Sequence, residues 1–157
     1  MVRWAVALVA LALATVGAVG CGEEDGVAEG ATVNVYISAS LCPSAKVELD
    51  RRGGEANGLK VRAVCLAPAE GGEGVDLAIV GANARRATED SASVGFIGGP
   101  SDLAARGSRN IVEAAGIVQL SGYPGWAAMK FILDAIEEGD ASRARQEVFE
   151  HAGGRPG

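Results

Sequence analysis

From Thr32 onward, short apolar or β-branched stretches alternate with longer amphipathic ones, and this alternation constrains the fold more than any other feature. Four stretches have the length and composition of strands: 32–38, 59–66, 93–97 and 117–120. Five stretches have helical character: 43–52, 75–90, 101–115, 126–138 and 141–151. Strands separated by helices pair in parallel through βαβ crossovers. The pattern therefore predicts an α/β fold, a three-layer sandwich with a parallel sheet of about four strands.

Apolar spacing within two of the predicted helices indicates which side chains face the sheet. In 75–90 the expected inward residues are Leu77, Val80, Ala84 and Ala87. In 101–115 they are Leu103, Ile111 and Ala114. Ligands of parallel sheets bind in the loops beyond the carboxyl ends of the strands. Those loops are 39–42, 67–74, 98–102 and 121–125, and within the second of them the glycine-rich run 71–74 is expected to be flexible.

The amino-terminal segment has the order of a secretory signal peptide. Arg3 is the only charge before an apolar run over 4–20, and the small residues of the triplet before Cys21 resemble a bacterial lipobox. The resemblance implies that Cys21 is acylated; an uncleaved membrane anchor is the alternative, because the run lies at the lower limit for spanning a bilayer. The acidic, glycine-rich residues that follow are typical of a solvated tether. The expected organisation is a signal peptide over 1–20, a lipid-anchored tether over 21–31, one folded lobe over 32–151 and a disordered tail over 152–157.

Composition excludes several classes of function. A formal net charge of -6 is inconsistent with neutralising nucleic-acid phosphates. One histidine, His151, and three cysteines are too few for a Cys/His zinc site. No phosphate loop or dinucleotide-binding motif occurs, and the segment around Ser101 lacks the closing glycine of a nucleophile elbow. We therefore expect no catalytic residues, no metal and no cofactor, and a protein that is not an enzyme.

Cys42 and Cys65 follow or end the first two predicted strands. Consecutive parallel strands are often neighbours, which places both cysteines at the same edge of the sheet. Export would put them in an oxidising compartment, where a Cys42–Cys65 disulfide is favoured. Two buried free thiols are the alternative. Neither cysteine has a histidine partner in the sequence pattern, so a catalytic role is not expected.

Several segments together resemble the first lobe of type I periplasmic binding proteins. They include VNVYISASLC (33–42), GANARRATEDSASVGFIGGP (81–100) and AAGIVQLSG (114–122). More narrowly, the chain is similar to leucine-binding-like substrate-binding lipoproteins of branched-chain amino acid ABC transporters. The resemblance is continuous over 31–122 and then jumps to 123–136, which resembles a helix near the carboxyl end of the family that packs on the first lobe. The chain thus resembles a single flavodoxin-like lobe with its returning helix joined on directly.

The resemblance implies a ligand site and a set of partners. Family members contact ligand through the loops after their third and fourth strands, which correspond here to Gly99, Pro100, Ser101, Ser121, Gly122 and Tyr123. Amides and hydroxyls at such positions can hold a carboxylate, although Ser101 can equally be a helix cap and Ser121 a turn residue. The implied partners are an amino acid or similar small solute, an ABC transporter permease and, through the lipid anchor, the outer face of the cell membrane in the cell envelope or periplasm.

Three functions remain open from the sequence. The first is non-catalytic capture of a small solute by an exported substrate-binding lipoprotein. The second is a surface-tethered structural or protein-interaction domain that has lost ligand binding, and the third is a small enzyme on a flavodoxin-like sheet. The second follows from the single lobe, because two-lobe binding proteins bury their ligand by closing both lobes around it.

Overall fold

The computed structural model describes residues 30–139. Several predicted features lie outside the described residues: the signal peptide 1–20, the acylation of Cys21, most of the tether 21–31, the helix 141–151 and the tail 152–157. Within residues 30–139, none of the helices combines the length and the apolar character that crossing a membrane requires.

The described residues form seven strands and four helices. The strands are β1 (Thr32–Ile37), β2 (Glu55–Ala56), β3 (Leu59–Cys65), β4 (Glu70–Gly71), β5 (Gly74–Val75), β6 (Ser93–Ile97) and β7 (Gln119–Leu120). The helices are α1 (Cys42–Arg51), α2 (Leu77–Thr88), α3 (Asp102–Ala114) and α4 (Gly125–Glu138). Every strand and helix predicted within this range is present, and no end is displaced by more than two residues.

The main sheet has five strands in the order β2-β3-β1-β6-β7. All neighbouring pairs are parallel except the short edge strand β2, which runs antiparallel to β3. With α1 and α4 packed together and α2 and α3 packed together, the molecule is an α/β sandwich, and the predicted fold class is confirmed. Its parallel strands have the order of a flavodoxin-like lobe, with the direction of winding reversed after β3.

Two short hairpins add to the predicted architecture. The turn between β2 and β3 is Asn57-Gly58, and both residues have positive φ, as a two-residue hairpin turn requires. The glycine-rich segment after β3, predicted to be a flexible loop, forms the antiparallel β4–β5 hairpin instead. That hairpin is the larger departure, because it stands directly over the ends of the parallel strands.

The core has one cluster on each side of the sheet. Alternate residues of β1 point to opposite faces, so that Val33, Val35 and Ile37 pack in the cluster with α1 and α4. Tyr36 points the other way and packs with Phe96 and the small inward residues of α2 and α3. Burial on both faces explains why apolar side chains occur at consecutive positions such as Tyr36 and Ile37 in β1.

The predicted inward faces of α2 and α3 were partly wrong. Leu77 and Leu103 are about half exposed, at 50% and 47%. Each lies in the first turn of its helix, at the edge of the sheet. On α3 the buried stripe is Ala104, Ala105, Ser108 and Val112, which turns Ala114 to solvent. Small residues, including Gly107 opposite Leu77 and Val80, allow α2 and α3 to approach closely.

Candidate functional site

The end of the sheet where the parallel strands finish, together with its four loops, is called the carboxyl edge below. The loops are 38–41 after β1, 66–76 after β3, 98–101 after β6 and 121–124 after β7. The strand order reverses at β1, which has β3 on one side and β6 on the other. In doubly wound sheets the crevice at this reversal is where ligands bind.

The structure brings the two predicted ligand loops together. A Cβ built on Gly98 would lie 2.7 Å from Ser121 Oγ, so the loops after β6 and β7 are in direct contact. Gly99 and Ser101 are partly buried beside them, and Ser121 is also partly buried. The remaining predicted residues are exposed at the surface of the same loops: Pro100, Gly122 and Tyr123.

Ser101 joins the loop after β6 to the start of α3 and to Glu70. It is the N-cap of α3, and its Oγ accepts a hydrogen bond from the amide of Ala104 at 3.2 Å. The same hydroxyl donates to Glu70 Oε1 at 2.6 Å, and the Ser101 amide donates to that oxygen at 3.2 Å. Ser101 is therefore both a cap and a carboxylate-binding group, so the two interpretations of the sequence do not exclude each other.

Glu70 was not predicted as a site residue. It opens the β4–β5 hairpin, which brings its carboxylate to the start of α3. This contact joins residues 31 positions apart. A single acid in a glycine-rich loop carries no sequence signal that would have identified it.

Gln119 positions Ser121, on the loop after β7, by bonding it and the carbonyl of Ala105 on α3. Its buried side chain accepts from Ser108 Oγ at 2.7 Å and donates to the carbonyl of Ala105 and to Ser121 Oγ, both at 2.8 Å. Ser121 Oγ accepts in this contact, so its own hydrogen does not take part in it. One signal for Gln119 was available: it is a polar residue in an otherwise apolar strand, which needs buried partners.

A small cavity lies beside Glu70, between the strand ends and the layer of α2 and α3. It is lined by residues that include Ser38, Leu66, Asn83, Phe96 and Gly99, and its volume is about 20 Å³. A cavity of this size holds about one water molecule. This cavity is therefore too small for an amino acid in the conformation described, whereas an open depression of about 490 Å³ lies along the hairpin segment 68–76.

The Cys42–Cys65 disulfide braces the same edge, and the expected pairing is present. It joins the first residue of α1 to the last residue of β3, with a Cα–Cα distance of 5.7 Å that is typical of disulfides. The alternative of two buried free thiols is wrong. The bridge holds the loops after β1 and β3 at a fixed spacing.

Asp90 and Tyr36 have shifted pKa values and lie away from this edge. Burial alone would raise the pKa of Asp90, but hydrogen bonds from Asn34, the Ala92 amide and Tyr36 hold it below its usual value. Burial and the bond to Asp90 raise the pKa of Tyr36. Asp90 lies between α2 and β6, at the opposite end of the sheet, where its hydrogen bonds join the start of β6 to β1.

The polar groups that the carboxyl edge presents are hydroxyls, backbone amides and the start of α3. Within residues 30–139 no group of three or more His, Cys, Asp or Glu side chains is placed to hold a metal ion, and His151 lies outside that range. Comparison of the chain with protein-family models, curated proteins and solved structures gave no match. The amides and hydroxyls at the start of α3 are groups that can donate hydrogen bonds to a small polar or anionic group.

Proposed function

We propose that this chain is an exported substrate-binding lipoprotein related to the solute-binding component of a branched-chain amino acid ABC transporter. In this proposal it captures a small solute at the carboxyl edge without catalysis and presents it to a transporter permease. Cys21 carries the lipid that tethers the lobe to the outer face of the membrane. The sequence resemblance over 31–122 supplies the family, and the carboxyl edge supplies the chemistry.

The carboxylate of Glu70 at Ser101 is the observation that carries the proposal. An amide and a hydroxyl at the start of a helix converge on one carboxylate oxygen, at 3.2 and 2.6 Å. A helix start also presents the positive end of its dipole to an anion. The position thus has the chemistry needed to hold the α-carboxylate of an amino acid, and Ser121 adds a second hydroxyl on the adjoining loop.

Calorimetric titration of the chain with leucine, isoleucine and valine tests solute capture. We expect weak, saturable binding, because one lobe supplies half of the contacts of a two-lobe protein. Ser101→Ala and Ser121→Ala should each abolish the heat. Ser44→Ala is the matched control, because its hydroxyl donates to the Leu41 carbonyl on a neighbouring loop outside the predicted site. Absence of heat with all three amino acids at high concentration would reject solute capture.

Metabolic labelling with palmitate tests the anchor independently. The wild-type chain should incorporate label and Cys21→Ala should not, because acylation requires the Cys21 thiol. Cys42 and Cys65 are joined to each other, so they offer no free thiol that would mimic the result. Equal labelling of both proteins would reject the lipoprotein assignment.

A second candidate function is a surface-tethered structural or protein-interaction domain that has lost ligand binding. Two observations favour it: the cavity holds no more than a water, and large apolar side chains are exposed at the carboxyl edge. They are Leu77, Leu103, Tyr123 and Trp126. Solute titration separates the two functions, because this candidate predicts no heat with any amino acid.

A further inference from the structure

The β4–β5 hairpin covers the carboxyl edge through one side chain. We propose that Glu70 is an internal occupant of the Ser101 position, so that the hairpin acts as a latch which a solute carboxylate must displace. The inference rests on the proposed function, because it assigns regulation to the same site. It predicts two states: a closed state with Glu70 on Ser101, and an open state in which the Ser101 amide and hydroxyl are available.

Hydrogen-bond capacity makes the two occupants mutually exclusive. The Ser101 hydroxyl has one hydrogen, which it donates to Glu70 Oε1, and its oxygen already accepts from the Ala104 amide. A second carboxylate therefore finds no hydrogen to accept at this hydroxyl. Two carboxylates at one position would also repel each other. Either Glu70 or a solute holds Ser101, but not both.

The space around Ser101 also excludes a second carboxylate while Glu70 is in place. A Cβ built on Gly99 would lie 2.7 Å from Glu70 Oε1 and 3.0 Å from Oε2, so the carboxylate is seated directly against the Gly99 backbone. The cavity left beside it has a volume of about 20 Å³. A solute reaches Ser101 only after the Glu70 side chain has moved out.

The closed state satisfies one of the two oxygens of the Glu70 carboxylate. Glu70 Oε2 is buried and has no hydrogen-bond partner among residues 30–139. A buried oxygen without a partner disfavours the closed state relative to one in which water reaches it. The closed state thus keeps one good contact, at Oε1, and one unsatisfied atom.

The hairpin is attached to α2 at both of its ends. Asn83 on α2 holds Ala67, donating to its carbonyl at 2.8 Å and accepting from its amide at 3.3 Å. Asp76 caps α2 through the amides of Ala78 and Ile79. Between these ends, Cβ atoms built on Gly71, Gly72 and Gly74 would meet nothing within 4 Å. Release of Glu70 therefore frees the hairpin without disturbing its supports.

Acetate is the probe that tests the latch, because it carries the carboxylate and nothing else. The full-length chain in detergent is compared with Glu70→Ala and with Glu73→Ala, which removes the same charge from the exposed turn of the same hairpin. The readout is the shift of the Ser101 amide resonance during acetate titration. Glu70→Ala should bind acetate at least about tenfold more tightly than the other two proteins, if the open state is populated at about a tenth or less in the wild type.

A second measurement tests the same contact without any added ligand. Hydrogen exchange at the Ser101 amide should accelerate about tenfold or more in Glu70→Ala and remain unchanged in Glu73→Ala, since only the first loses the acceptor. Equal acetate affinity in all three proteins, acetate binding in none, or unchanged exchange in Glu70→Ala would overturn the latch. Leucine titration of wild type and Glu70→Ala judges the proposed function separately: if neither binds leucine, solute capture fails whatever acetate shows.

Discussion

Gly125 lies against the carbonyl oxygen of Leu41, so that the first turn of α4 meets the loop after β1 backbone to backbone. A Cβ built on Gly125 would overlap that oxygen and would lie 2.5 Å from Ser44 Oγ. Gly125→Ala must therefore push α4 away from the β1 loop. We expect a loss of about 1–3 kcal/mol in the free energy of unfolding, measured by urea denaturation.

Gly81→Ala is the matched control for that substitution. Gly81 is also a buried helical glycine, but the nearest atom to its built Cβ is Arg85 Nη1 at 3.5 Å, an ordinary contact. Alanine should leave stability unchanged or raise it by up to about 1 kcal/mol, because it restricts the unfolded chain and favours helix. Equal losses at the two positions would show that the close approach at Gly125 has no special effect.

The Cys42–Cys65 bridge should contribute substantially to stability. It closes a loop with a sequence separation of 23, for which the loop-entropy relation gives about 3 kcal/mol. Adding reductant should lower the urea midpoint of the wild-type chain by a corresponding amount. The Cys42→Ala/Cys65→Ala double variant should have the urea midpoint of the reduced wild-type chain, and adding reductant should not change it. In Cys21→Ala, reductant should lower the midpoint as it does in the wild type. Detection of two free thiols at positions 42 and 65 by mass spectrometry without reductant would refute the bridge.

Asp90 should make folding stability sensitive to acid. Its pKa is held below the usual value of 3.8 despite burial, through bonds from Asn34, Ala92 and Tyr36. A lowered folded-state pKa means that the contribution is complete above the unfolded pKa and is lost as pH falls through the folded one. Asp90→Asn should lose about 1 kcal/mol at pH 7 and less at pH 3, by urea unfolding. An equal loss for Asp90→Asn at pH 7 and at pH 3 would contradict the assignment.

Arg52 ties α1 to α4 across the outer layer. Its guanidinium donates a hydrogen bond to Asp134 and another to Glu137 Oε1 at 2.8 Å. Its Nε also lies 3.7 Å from Glu48 Oε1. Arg52→Ala should cost about 1 kcal/mol, because these groups are partly exposed and screened. Arg109→Ala is the control: its side chain is 52% exposed and its Nε lies 3.7 Å from Oε1 of the exposed Glu113 on its own helix, which predicts about 0.5 kcal/mol or less. A larger loss for Arg109→Ala than for Arg52→Ala would contradict this arrangement.

The fold could be predicted from sequence because its signals are local. The β-branched run over 32–38 and the glycine and proline boundaries define elements without reference to distant residues. The Asn57-Gly58 hairpin was equally available from its dipeptide, but it was missed. Leu77 and Leu103 were assigned inward because helical spacing gives a face but not the point at which the sheet beneath it ends.

The site was less accessible to sequence reasoning. Ser101 and Ser121 were named through family resemblance, and they do lie on adjoining loops. The side chains that orient them, Glu70 and Gln119, depend on contacts that form only when the layers are assembled. Glu70 reaches Ser101 because the glycine-rich segment folds into a hairpin, and no periodicity of the sequence encodes that hairpin.

The most direct test of the account is the response of the backbone amides to leucine, followed by two-dimensional NMR on the full-length chain. We predict saturable shifts concentrated at 98–101 and 121–123, absent in Ser101→Ala and retained in Ser44→Ala. Resonances of Asn57 and Gly58, at the far hairpin, should remain in place and serve as the internal reference. No shift with leucine, isoleucine or valine at any concentration, or shifts confined to residues outside the carboxyl edge, would contradict solute capture at this site.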